Sequence, residues 1–249
     1  MKRVNLIPMA GLGIRFVNAG YNIPKPLLDV NGLPMIIKSA QCLPDADKWI
    51  FVCRKEHLEK TNLEKILKFY FQNVFIIEIN YLTEGQLSTC LIAEDYFTPD
   101  DLLTIGSCDN GMEYNIEEYS RLITEHDALV WTFRQNPTVL NNPNIFGWAK
   151  VNRLGLVSSI SCKSAISSNP INDHALTGAF TFKKAGIFLD CAKEVIKKDR
   201  RINNEFYVDT LIDECAKVGY HVFPFDIDNY FCWGTPKDLQ LYLEQYTRG

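Results

Sequence analysis

The sequence predicts an α/β fold: a Rossmann-like mixed, mostly parallel sheet flanked by helices, with a smaller subregion in its second half. Three observations predict it. Apolar runs at 3–9, 48–53, 73–79, 102–106 and 128–134 have the length and continuity of strands buried on both faces. Helical patterns lie between most of them, which parallel crossovers require. The 249 residues are 47% hydrophobic, enough to bury one large core.

The first run, 3–9, ends in a glycine loop, Ala10-Gly11-Leu12-Gly13-Ile14-Arg15-Phe16. Backbone N–H groups converge on a phosphate only where no Cβ intervenes and positive φ is open, and Gly11 and Gly13 meet that need. Residues 1–28 contain no acidic side chain, whereas Lys2, Arg3, Arg15 and Lys25 are basic, so the segment favours an anion. Arg15 supplies a forked donor and Lys25, in Pro24-Lys25-Pro26-Leu27, a point charge on a proline-stiffened arm. Phe16 stands where the dinucleotide fingerprint wants its third glycine, and the Gly-Lys-Ser/Thr of a P-loop is absent. Taken alone, the glycine pair is equally compatible with an ordinary strand-to-helix turn.

Leu63, Ile66, Leu67, Tyr70 and Phe71 recur at helical spacing and predict a helix over 55–71. After the third run comes Thr83-Glu84-Gly85-Gln86, a glycine turn opening a helix, with Thr83 as its plain cap. The fourth run leads into Ser107-Cys108-Asp109-Asn110-Gly111. A carboxylate at the end of a buried strand needs a partner, and beside phosphates a hard divalent cation is the usual one; an Asx-turn is the structural alternative.

After Arg134 the character changes. Asn136-Pro137 and Asn141-Asn142-Pro143-Asn144 form a loop, followed by strands at about 146–152, 156–162 and 175–183. Helices are expected near 185–198 and 205–218, a strand near 220–225, and a last helix after Pro236 capped by Thr235. The whole of 1–249 is read as a single domain, divided functionally into 1–134 and 135–249.

The net charge of -4 and a pI near 5.6 argue against nucleic-acid or anionic-membrane binding. The eight cysteines form no C-x-x-C pair or zinc spacing and read as reduced thiols of a cytoplasmic protein. No signal peptide or membrane span is visible. No histidine forms a plausible triad, and none lies near Cys108 or Cys162 in sequence to activate a thiol.

The glycine loop with Arg15, followed by Pro24-Lys25-Pro26-Leu27 and the turn 29–36, resembles the nucleotidyltransferases of sugar-nucleotide-pyrophosphorylase-like (GT-A-like) fold over nearly the whole chain. The resemblance implies a nucleotide-binding part in 1–134 and an acceptor-binding part in 135–249. It implies that Met9, Ala10, Gly11, Leu12, Gly13, Arg15 and Lys25 hold the triphosphate, that Arg15 and Lys25 are catalytic, and that Thr83, Glu84, Gly85 and Gln86 read base and ribose. Mg²⁺ is implied on Asp109. Where relatives place a second metal carboxylate this chain has Cys232, so Asp228 is preferred as the substitute over Asp226. Lys163, Gly178, Glu205 and Tyr207 fall where the acceptor is expected. The implied partners are a nucleoside triphosphate, CTP favoured, and a phosphorylated small molecule; a homodimer stays open. The segments 107–109 and 205–208 look closest to a capsule-locus branch that joins CTP to glutamine phosphate. A sugar-1-phosphate nucleotidyltransferase, a glycosyltransferase on the same sheet and an inactive nucleotide-binding module are the alternatives.

Overall fold

In the computed structural model, which describes residues 1–246, the first seven strands are β1 (Arg3–Met9), β2 (Asp29–Val30), β3 (Leu33–Pro34), β4 (Lys48–Arg54), β5 (Val74–Ile79), β6 (Leu102–Ile105) and β7 (Asn110–Glu113). They are followed by β8 (Ala128–Phe133), β9 (Gly147–Val151), β10 (Val157–Cys162), β11 (His174–Phe182), β12 (Val222–Asp226) and β13 (Asn229–Cys232). Nine of them share one mixed sheet. β5, β4, β1 and β6 run parallel in that order, β8 and β12 pair in parallel farther along, and β11 lies antiparallel between β6 and β8. β9 and β10 extend the sheet from the start of β11, where His174 faces Ala149. The expected mostly parallel α/β sheet is therefore present, with β11 and its neighbours supplying the antiparallel part.

Both faces of the sheet are covered. Leu6, Ile50, Leu103, Val130 and Phe180 pack under the helices Ala185–Lys197 and Val208–Lys217. On the other face Ile7, Phe51, Trp131 and Phe225 meet Leu63, Leu67 and Leu122 from the helices Leu63–Tyr70 and Ile116–Glu125. β1 is buried on both sides for this reason, which is why its sequence is an apolar run without alternation. Among the described residues no helix is long and apolar enough to cross a membrane.

Two helices are shorter than periodicity predicts. The stretch 55–71 breaks into Lys55–Lys60 and Leu63–Tyr70 because the Thr61 hydroxyl donates to His57 O (2.5 Å) and accepts from Leu63 N–H (3.2 Å), a local alternative to the helical ladder. The helix expected from 205 starts at Val208, since Asn203 and Asn204 take left-handed φ of 49° and 64° in a turn closed by Ile202 and Glu205.

Topology places the site. The chain moves from β1 to β4 on one side and returns to β6 on the other, so the loops leaving β1 and β6 diverge and open a crevice at their carboxyl ends. A small ribbon, β7 against β13, stands beside that crevice, with Asn110 opposite Cys232.

Candidate functional site

The loop after β1 carries the first half of the site. Gly13 sits at φ 61° and its carbonyl accepts from the N–H groups of Phe16 (2.9 Å) and Val17 (3.3 Å), opening the short helix Ile14–Asn18. A Cβ on Gly13 would lie 3.3 Å from Lys25 Cβ, so loop and lysine arm are packed together. Around Gly11 an added Cβ would meet nothing within 4 Å. Met9 and Ala10 are buried and offer the crevice only backbone, whereas Leu12 and Arg15 are exposed. The Arg15 guanidinium forms no ion pair among the described residues. Phe16 is the anchor, buried with Leu28, Met35 and Trp233.

Lys25 comes in from a proline-flanked turn and reaches across to the loop after β6. Its Nζ lies 2.5 Å from Asp109 Oδ2, 3.3 Å from the Gly234 carbonyl and 5.3 Å from the centre of the Phe16 ring. Burial disfavours the ammonium, yet the Asp109 carboxylate outweighs it and the Lys25 pKa ends above its usual 10.5. The lysine is thus a fixed cation at every physiological pH.

The turn that carries Asp109 is fixed at three successive points, Ser107, Asn110 and Asp109 itself. The Ser39 hydroxyl donates to Ser107 O (2.9 Å), Asn110 Nδ2 donates to Thr177 O (2.7 Å), and Trp233 N–H donates to the Asp109 carbonyl (2.9 Å). A Cβ on Gly234 would stand 3.6 Å from both Asp109 Oδ2 and Cys232 Sγ, so carboxylate and thiol approach each other across that glycine. Cys108 and Cys232 are each pushed up to about 12, by burial first and by neighbouring carboxylates after it. Both are protonated thiols and neither is primed as a nucleophile.

The structure does not bring Asp228 to Asp109. The N–H of Asp228 donates to Glu113 O, at the far end of the β7–β13 ribbon, four strand positions or about 13 Å from Asp109. Asp226 is engaged elsewhere, accepting from Thr132 Oγ1 (2.8 Å) and Arg134 Nε (2.6 Å). The nearer carboxylate is Asp238, which sequence reasoning missed: its Oδ2 lies 3.6 Å from Cys232 Sγ and accepts from Thr235 Oγ1 (2.6 Å). Thr235 caps the last helix as expected, with Asp238 N–H donating back to its hydroxyl. The Thr-x-x-Asp spacing of a capping box was the available signal.

On the other side of the crevice the turn Thr83-Glu84-Gly85-Gln86 meets the segment 205–207. Phe206 N–H donates to Glu84 O (2.7 Å) and Leu87 N–H to Phe206 O (2.9 Å). Gly85, at φ 122°, leaves room for this, since a Cβ there would fall 2.6 Å from Phe206 O. Gly85, not Thr83, occupies the helix cap, and the Thr83 hydroxyl instead meets that of Thr89 at 2.6 Å. The Glu84 carboxylate pairs with Arg201 at 3.0 Å.

Lys163 sits at φ 54° with its Nζ 4.6 Å over the Tyr207 ring, and Tyr207 is hydrogen-bonded to Glu205. Gly178, at φ 88° in the bulge of β11, lies where a Cβ would be 2.7 Å from Ser107 Oγ, which ties it to the Asp109 turn. Asp209, which ends the segment 203–209, packs against Gly147. Burial holds its carboxyl above the usual range despite the Cys162 thiol and Lys163 nearby.

The donor set suits a hard divalent cation carried by a polyphosphate. Asp109 offers a carboxylate at the crevice, the neutral Cys232 thiol is a poor ligand for Mg²⁺, and among the described residues no group of three His, Cys, Asp or Glu side chains forms a ready-made cage. One protein carboxylate with phosphate oxygens and water is an ordinary Mg²⁺ environment.

No family model matches the chain, and no curated protein does. Solved structures do. A nucleoside-diphosphate-sugar pyrophosphorylase from Vibrio cholerae RC9 superposes with a TM-score of 0.79 at 20% identity, over 97% of this chain and 100% of that one. The inositol-1-phosphate CTP transferase from T. maritima gives 0.72 at 13% identity, over 99% and 97%. HddC from Yersinia pseudotuberculosis gives 0.69 at 16%, over 99% and 100%. The fold is the one these proteins share.

Proposed function

We propose that the protein is a nucleotidyltransferase that transfers a nucleoside monophosphate, CMP from CTP, to a phosphorylated small metabolite and releases pyrophosphate. The observation that carries this reading is the meeting of Lys25 and Asp109 at the sheet's switch point, behind a glycine loop with open space above Gly11. Solved structures of the same fold include pyrophosphorylases and a CTP transferase, which supports the reaction class.

In the proposed reaction an oxygen of the acceptor's phosphate attacks the α-phosphorus in line. The new P–O–P linkage forms as the bond to the bridging β-oxygen breaks, and pyrophosphate leaves with the electron pair. Charge grows on the α-phosphate and the leaving group, so fixed cations and N–H donors are the useful groups. The amides of residues 11–13 and the unpaired Arg15 would hold the β- and γ-phosphates, and Lys25 would stabilise the transferring phosphoryl group. Asp109 would hold Mg²⁺, which when bound supplies Lewis-acid stabilisation of phosphate charge. Thr83, Glu84, Gly85 and Gln86 would face base and ribose, and Lys163, Gly178, Glu205 and Tyr207 the acceptor.

The acceptor of choice is L-glutamine phosphate, giving CDP-L-glutamine for modification of a capsular polysaccharide in a cytoplasmic step. The likeness of segments 107–109 and 205–208 to that branch supports it. A screen of four nucleoside triphosphates against glutamine phosphate, phosphocholine and sugar 1-phosphates, read as pyrophosphate release, tests the proposal. Release with CTP and glutamine phosphate is expected. Release only with a sugar 1-phosphate would reassign the acceptor, and triphosphate binding without release from any pair would leave an inactive nucleotide-binding module.

A further inference from the structure

The two groups that the proposed transfer uses separately are bound to each other in the free protein. Lys25 Nζ lies 2.5 Å from Asp109 Oδ2 and 3.3 Å from the Gly234 carbonyl, with the centre of the Phe16 ring 5.3 Å away. An ammonium has three donors and no other means of holding a partner, and here they are turned onto the protein. In this state Lys25 is not free for a phosphoryl group, and one Asp109 oxygen is already taken. Both side chains nevertheless border solvent, that of Lys25 being 15% exposed and that of Asp109 31%, so a ligand in the crevice can reach the pair. The arm is built for the side chain alone to move. Lys25 stands between Pro24 and Pro26, and Leu27 N–H donates to Pro24 O (2.8 Å), which fixes the backbone beneath a flexible four-carbon stem.

The charges around the pair leave nothing over for a dication. Cys108 and Cys232 are neutral thiols. Asp238, behind Cys232, accepts from Thr235 Oγ1 (2.6 Å), and the exposed Arg15 stands at the mouth of the loop. Two cations, Lys25 and Arg15, thus face two carboxylates, Asp109 and Asp238, and the nearer carboxylate is matched by its own ammonium. A hard cation that gives up its water reluctantly gains little from such a place unless phosphate oxygens arrive with it. A triphosphate changes the balance in both directions, because its oxygens offer Lys25 more negative charge than one carboxylate does and release Asp109 in the same step.

We propose that Lys25 is a stand-in for the metal: it occupies Asp109 in the free protein, moves onto the phosphates when a triphosphate arrives, and so admits a divalent cation to Asp109 only together with the nucleotide. The nucleotide's part rests on the transferase reading; the competition of ammonium and metal for Asp109 does not. The first test is titration of Mn²⁺ alone into the full chain without nucleotide, read as the EPR signal of the free ion. Lys25→Met keeps the arm and removes its charge, and is expected to bind Mn²⁺ about tenfold or more tightly than the parent. The double variant Lys25→Met/Asp109→Asn is expected to lose that gain, which locates it at Asp109. Equal affinity of parent and Lys25→Met, or a gain that survives removal of the carboxylate, overturns the proposal. The second test follows the lysine itself in the parent protein, by the ammonium proton–nitrogen NMR cross-peak that Lys25→Met lacks. Mg²⁺ alone is expected to leave that peak in place, and Mg²⁺ with CTP to shift it. A peak unmoved while Mg²⁺ and CTP bind would mean that ammonium and metal share the carboxylate, and overturns the exchange. Failure of CTP to bind at all would remove the transferase reading instead, while the Mn²⁺ comparison still decides the competition.

Discussion

Gly11 and Gly13 separate ligand binding from folding, because the structure gives them different reasons to be glycine. Gly11 is exposed, its φ is outside the left-handed region, and a Cβ there meets no atom within 4 Å. Gly11→Ala therefore strains nothing in the free protein and restricts the unfolded chain, a gain of about 0.4–1 kcal/mol. For a domain of this size that is a rise in Tm of roughly 1–4 °C. On the proposed reading the same methyl enters the open space through which a phosphate would reach the loop amides. Loss of one charge-assisted hydrogen bond, about 1.5–3 kcal/mol, predicts CTP affinity lower by roughly ten- to a hundredfold. Gly13→Ala should behave oppositely in stability. At φ 61° a Cβ costs about 1–2 kcal/mol, and at 3.3 Å from Lys25 Cβ it pushes the lysine arm as well. Differential scanning fluorimetry and CTP titration calorimetry on the two variants measure both quantities. If Gly11→Ala melts earlier than the parent, or binds CTP as tightly, the loop is glycine-rich for the fold and the triphosphate assignment fails.

Lys25→Ala and Asp109→Ala are each expected to lower the rate of pyrophosphate release by on the order of a hundredfold or more, and the double variant little further, since the two groups act as a unit; multiplicative losses in steady-state assays would contradict that. Chelation of divalent cations should abolish turnover and added Mg²⁺ restore it, with Asp109→Asn raising the Mg²⁺ concentration needed for half-maximal rate. Glu214 is almost wholly buried between Lys198 and Arg200, whose hydrogen bonds hold its carboxyl below the usual 4.5. Its contribution is present above that value and lost as pH falls through the depressed one. Glu214→Gln should thus cost about 3 kcal/mol in urea unfolding at pH 7, with the gap to the parent closing below pH 4. Asp209 has the opposite sign: its folded pKa is raised from 3.8 by burial, so the native state is penalised once pH climbs past the unfolded value. Asp209→Asn should raise Tm at pH 7 and give no gain at pH 3; a lower Tm at pH 7 would show the carboxylate to be a stabilising ligand of the fold.

Strands β1, β4, β6 and β8 were legible because burial on both faces writes an uninterrupted apolar run, the half-exposed edge strand β5 because Val74–Ile77 are all apolar, and the loop after β1 because glycine is the residue that frees backbone N–H groups for an anion. Strand direction is another matter. β11 is buried along most of its length like its neighbours β6 and β8, and nothing in Leu176–Phe182 marks it as antiparallel, since direction is decided by the connection that delivers the strand. The ribbon of β7 and β13 was harder still. Its strands have four residues each, and their register, Asn110 opposite Cys232, is a tertiary fact with no local signature. That register separates Asp228 from Asp109, because alternation along 226–228 says which residues share a face but not which end of a partner strand they reach. It also shows why the site is assembled late in the chain's logic. Lys25, Asp109 and Gly234 come from three distant segments, and each is held by an interaction the others depend on: Lys25 by Asp109, Asp109 by the N–H of Trp233, and the Trp233-Gly234 corner by the packing of Trp233 on Phe16 and Met35 beside the lysine arm. A substitution at Trp233 should therefore be felt at Lys25 although the indole touches no phosphate. Trp233→Leu is expected to lower kcat with little change in CTP affinity, and a variant that lost both equally would place the indole in the nucleotide site itself.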